Sequence, residues 1–217
     1  MLRTWTDEWN TPRVSLCVAL IAGGAGCFGA AVGSWRAPEQ ALYCAVKLPL
    51  ILLLTTVGNG LLNAMLAPLL GLNLPARQSF LAILVSFTLA AVILGAFSPL
   101  LAFLIWNLPP LTTAAESNLS AHSVILLGET AMIAFAGVAA NVRLIQLLRL
   151  LSGNRTVARR ILCAWLAGNL FLGSQLAWIA RPFVGSPGLP VEFLRSDALE
   201  GSFFEALIRA ARHLIFP

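Results

Sequence analysis

One carboxylate, Glu129, stands well inside a long apolar run. Holding a charge at such a depth is expensive without a partner, so the residue reads either as a proton or cation site or as half of a buried pair. Lys47 and Arg181 border apolar runs at the same predicted depth and are the available partners, which favours the pair. Asn59 and Asn63, four residues apart, project from one helix face in mid-run. With Asn169, Ser174 and Gln175 they either line a polar path or hydrogen-bond between helices, at about 1 kcal/mol or less per bond. Arg143, Arg149, Arg155, Arg159 and Arg160 cluster after the fourth apolar run. Such a cluster determines topology, and it can grip anionic headgroups or an acidic partner.

The side chains of common catalytic sites do not assemble in the sequence. Gly173-Ser174 lacks the Gly-x-Ser-x-Gly frame of a nucleophile elbow, and no His-Glu-x-x-His helix occurs. His122 and His213 are the only histidines and have no ligand-spaced cysteine or carboxylate beside them, so no metal site is expected. Cys17, Cys27, Cys44 and Cys163 form no Cys-x-x-Cys pair and read as small buried hydrophobes. No cofactor and no enzymatic activity are expected. The net charge of +5 does not point to nucleic acid, because no basic stripe with interleaved aromatics accompanies it.

The elements that must carry these residues follow from composition. Hydrophobic residues make up 59% of the 217 and charged ones 11%, against roughly 25% charged in a soluble domain. Surface-to-volume scaling prevents a soluble fold of this length from hiding so much apolar surface, whereas lipid solvates it. The expected fold is all-α: a polytopic transmembrane helical bundle with spans near 14–34, 47–70, 78–105, 122–146 and 161–180. Ala22, Gly26, Gly29, Ala30 and Gly33 give the first span a small-residue face suited to close helix packing. Gly58 and Gly60 permit a close neighbour or a kink in the second, and Pro99 is expected to bend or end the third. Residues 106–121, with two prolines and no base, read as a water-exposed loop. Gly24-Ala25-Gly26-Cys27 lacks the aliphatic residue of a lipoprotein cleavage box, so the first run is expected to stay as a span. Arginine placement predicts residues 1–13 as a cytoplasmic segment, the C-terminus outside, and a cytoplasmic-membrane location.

Residues 181–217 are expected to form an extracytoplasmic Pro/Gly elbow followed by an interfacial helix. Ser202-Phe203-Phe204-Glu205 has the form of a capping box. Phe203, Phe204, Leu207 and Ile208 then begin an apolar face that continues to Ile215, with Arg209, Arg212 and His213 on or near the other side. The run Ser174-Gln175-Leu176-Ala177-Trp178, then Arg181-Pro182-Phe183-Val184-Gly185-Ser186-Pro187-Gly188-Leu189-Pro190, then Gly201-Ser202-Phe203-Phe204-Glu205-Ala206, resembles the C-terminal signature of a family of uncharacterised prokaryotic multi-span membrane proteins. That resemblance implies the span layout and no activity. The span plan is also similar to that of Yip-type membrane proteins, in architecture alone. The expected role is a non-enzymatic scaffold, accessory or subunit of a membrane complex. Its expected partners are membrane lipids and other membrane subunits or further copies of itself. The alternative is a small transporter or channel using Glu129 and the mid-membrane amides.

Overall fold

The computed structural model describes residues 10–71, 75–109, 115–185 and 190–205. Among them are five long helices and no strand: α1 (Thr11–Gly33), α2 (Pro38–Leu69), α3 (Ala76–Trp106), α4 (Ala115–Ser152) and α5 (Arg155–Ala180). All five are long and apolar enough to cross a membrane. The shortest has 23 residues, about 35 Å at 1.5 Å per residue, against a hydrocarbon core of about 30 Å.

Local sequence sets the ends. The Asn10 side chain accepts from the Arg13 amide at 3.4 Å, with Pro12 in the first turn of α1, where a missing N–H costs little. The Asn154 side chain does the same for α5, accepting from the Thr156 amide at 2.8 Å and the Val157 amide at 3.3 Å. Every helix extends beyond the span expected from apolar runs, and α2 and α4 do so most. α2 begins nine residues before Lys47, which places that lysine inside the helix rather than at its mouth. α4 begins at Ala115, so the last part of the expected 106–121 loop is helical. Pro99 does not end α3, which continues to Trp106.

α1 packs most extensively on α2 and α3, and α4 and α5 complete a ring with those two. Glycines set the closest crossings. A Cβ on Gly24 would collide with the Ala91 carbonyl of α3, and one on Gly29 or Gly33 would collide with the backbone at Cys44 or Gln40 of α2. Backbone contact of this kind lets membrane helices gain packing energy where no hydrophobic drive exists between them. Gly58 and Gly60 likewise admit Leu172 of α5 and the Phe80 ring of α3.

Buried apolar residues form clusters at the two ends of the bundle. One joins Phe28 and Val32 of α1 and Trp35 just after it to Leu101, Ile105 and Ile125, with Val184 of the tail inserted. The other joins Ile83, Leu144, Leu148, Ile161 and Trp165 at the arginine-rich end.

Candidate functional site

The polar residues inside this bundle lie mainly on one stripe of α2. Gln40, Cys44, Lys47, Thr55, Asn59 and Asn63 are each at most 2% exposed, and they recur every three or four residues, or twice that where Ile51 intervenes. Such spacing keeps them on one helix face through most of the bilayer.

The tail-end half of the stripe is tied to the tail, although Gln40 Oε1 is itself buried without a partner among the described residues. The Gln40 amide donates to the Pro182 carbonyl at 2.9 Å and to the Phe183 carbonyl at 2.7 Å. The Cys44 thiol donates to the Phe183 carbonyl at 3.1 Å, and the Lys47 ammonium donates to Pro182 at 2.9 Å. Lys47 also lies over the Phe183 and Phe193 rings, 5.9 and 5.1 Å from their centroids, where ring quadrupoles favour a cation. Three side chains of α2 thus clasp the backbone of the segment that follows α5. The expected pairing with Glu129 does not form: Lys47 is held by tail carbonyls, and Arg181 pairs with Asp197 at 3.0 Å while stacking on Trp178. The tail supplies acceptors that lie far away in sequence, so depth alone could not identify the partner. Glu129 is half-buried between Ile125 and Met132 on the packed side of α4, with no ion pair among the described residues.

The other half of the stripe faces α5 and is not saturated. The Asn59 amide donates to the Trp165 carbonyl at 3.4 Å and, in a short contact, to the Asn169 side-chain oxygen. Gly168 and Gly173 of α5 lie opposite Asn59 and Thr55 and leave room for them. Yet Thr55 Oγ1, Asn59 Oδ1, both amide atoms of Asn63 and Trp165 Nε1 are buried without a hydrogen-bond partner among the described residues, as is Ser79 Oγ near the start of α3. Each such atom costs about 1–3 kcal/mol if nothing satisfies it. Buried polar atoms are otherwise almost always paired. The arrangement offers oxygens and N–H groups to a small polar guest, and it holds no carboxylate, nucleophile–base pair or metal-binding group.

The structure therefore brings Asn59, Asn63 and Asn169 together, and leaves Gln175 half-exposed and Ser174 bonded to the Phe171 carbonyl at 3.1 Å. Sequence reasoning missed Gln40, Cys44, Thr55, Ser79 and Trp165. The recurrence of polar residues along α2 was the available signal, and it is diluted by the apolar residues around it. The His122 ring lies tilted against that of Trp35, with centroids 6.1 Å apart, and no metal-capable cluster exists among the described residues. Arg143, Arg149, Arg155, Arg159 and Arg160 are all exposed at the far end, as contact with headgroups or a partner requires. Ser202 caps the Glu205 amide at 3.2 Å, Phe203 meets Phe204 edge-on, and Phe204 stacks on Phe171 at 5.7 Å. Leu207, Ile208 and the rest of the expected interfacial helix lie outside the described residues, as do residues 1–9.

Comparison of the chain with protein-family models, with curated proteins and with solved structures finds no match.

Proposed function

We propose that this integral membrane protein is non-enzymatic and admits a small polar solute or ion to the seam between α2 and α5. One observation carries the reading: the five orphaned polar atoms of Thr55, Asn59, Asn63 and Trp165, residues buried inside a bundle of spans. A helix kept only for packing gains nothing from buried amides without partners, whereas a polar guest or water entering the seam supplies the missing bonds. Glu129, unpaired with either expected base, is a second group available to such a pathway. The arginine distribution supports a cytoplasmic α4–α5 connection, with the N-terminus inside and the C-terminus outside. The clasped Pro182-Phe183 segment supports treating the Arg-Pro-Phe-Val-Gly signature of the resembled family as structural, closing the outer end of α2.

Substituted-cysteine labelling tests this reading in intact membranes, on a background lacking Cys17, Cys27, Cys44 and Cys163. Thr55→Cys and Asn63→Cys should react with a small water-soluble methanethiosulfonate, while Leu84→Cys in the apolar core should not. Proteoliposomes should also swell faster in a glycerol gradient than empty vesicles, and Asn63→Leu should remove the difference. Seam cysteines as inert as Leu84→Cys would end the proposal.

A second reading, an accessory or subunit of a membrane complex, is favoured by α5. Of its most apolar 18-residue window only 11% is buried by the rest of the chain, the lowest share among the five spans. Another subunit or a further copy of the chain lying against α5 would cover it. The two readings are compatible.

A further inference from the structure

The arginine cluster has no acidic residue near it in sequence. Between Glu39 and Glu116, and again between Glu129 and Glu192, the chain contains no acidic residue, and those two stretches carry Arg77 and the whole Arg143–Arg160 cluster. The Arg181–Asp197 ion pair lies at the opposite end. Arg143 donates to the Gln146 side-chain oxygen at 3.2 Å and to no acid, although its planar guanidinium has five N–H donors suited to phosphate.

A cleft lies beside it. Ala82, Val85, Ser86 and Leu89 of α3, with Leu144 and Leu147 of α4, line a volume of about 380 Å³ whose only charged wall residue is Arg143. The Ser86 hydroxyl is directed to the Ala140 carbonyl at 3.5 Å, so the remaining lining is close to wholly apolar. A second cleft, of about 290 Å³ between α2 and α3, has the same composition: apolar walls and a single arginine, Arg77. Both flank the N-terminal half of α3 and so open to one leaflet. An apolar slot with one guanidinium at its rim matches a molecule with a hydrocarbon chain and an anionic head. A soluble phosphate would leave the slot empty, and an acidic peptide would leave the hydrocarbon wall without a partner.

We propose that the α3–α4 cleft is a binding site for an acidic glycerophospholipid, with one acyl chain along Val85, Leu89 and Leu147 and the phosphodiester on Arg143. This is independent of what the α2–α5 seam carries. The occupant comes from the leaflet that meets the C-terminal end of α4, where the exposed Arg149, Arg155, Arg159 and Arg160 raise the local concentration of anionic lipid.

Native mass spectrometry of the full chain in mild detergent tests it, with dioleoyl phosphatidylglycerol and dioleoyl phosphatidylcholine as probes. The wild type should retain the anionic lipid over the zwitterionic one. Arg143→Gln should reduce that preference about fivefold, the factor one arginine near an anionic surface supplies. Arg143 is exposed, so this variant should fold normally. Leu147→Trp, which fills the slot, should lower retention of both lipids, while Arg149→Gln, outside the slot, should lower the anionic preference by much less than Arg143→Gln. Soluble glycerol 3-phosphate should fail to displace the bound lipid. Equal retention of the two lipids by the wild type, or unchanged selectivity in Arg143→Gln, overturns the proposal. So does an equal loss in Arg149→Gln, which indicates diffuse attraction, or displacement by glycerol 3-phosphate, which indicates a phosphate site without an acyl slot.

Discussion

Replacing Asn63 by leucine separates a hydrated seam from a dry one. Asn63 is fully buried, and neither its amide nitrogen nor its oxygen has a partner among the described residues. In a dry seam, removing this amide relieves the penalty of an unmade hydrogen bond, about 1–3 kcal/mol per atom. Asn63→Leu should then be more stable than the wild type by at least that much. In a seam that water or a polar guest enters, the amide is already satisfied, and its removal exchanges one set of bonds for another. The change should then stay within about 1 kcal/mol, the net worth of an ordinary hydrogen bond. The proposed function requires the second outcome. Asn59→Leu is the internal reference. It loses bonds to the Trp165 carbonyl and the Asn169 side chain, and interhelical bonds in membranes average about 0.6 kcal/mol and reach about 1.7. It should therefore be less stable by about 1–2 kcal/mol. Reversible unfolding of the purified protein in mixed micelles, with helix content as the readout, measures both. A gain above about 1 kcal/mol in Asn63→Leu refutes the hydrated seam, since that is more than exchanging satisfied bonds can yield.

Further expectations concern topology, packing and the lone carboxylate. In intact cells an impermeant thiol reagent should label Ala115→Cys and not Asn154→Cys, and the reverse pattern would invert the bundle. Gly29→Val should destabilise by about 1–3 kcal/mol or more in a thermal melt, because its side chain meets the Cys44 backbone rather than a movable group. A melt like that of the wild type would mean that α1 and α2 cross less closely. Glu129→Gln should leave the melt unchanged, since no ion pair with Lys47 or Arg181 exists to be lost. A drop of several degrees would show that the carboxylate is held by a structural partner.

The sequence alone determined that this is a helical membrane protein of five spans, because an 11% charged chain of this length has no other way to solvate its apolar residues. It also determined which glycine-bearing faces pack closely, since Gly26, Gly29 and Gly33 recur at helical spacing and backbone approach needs only that. The pairing of Asn59 with Asn169 was legible as a class of contact, because amides inside apolar runs have few other places to turn. Only the tertiary structure decided the rest. Lys47 marks a helix end by composition, yet it lies inside α2 because carbonyls 135 residues later fold back to receive it. Glu129 has no ion pair among the described residues for the same reason: both expected bases are taken by the tail. The unsatisfied state of Asn63 was equally hidden. Whether a buried amide is paired depends on what the neighbouring helices present at that level, which the spacing of residues along α2 does not encode.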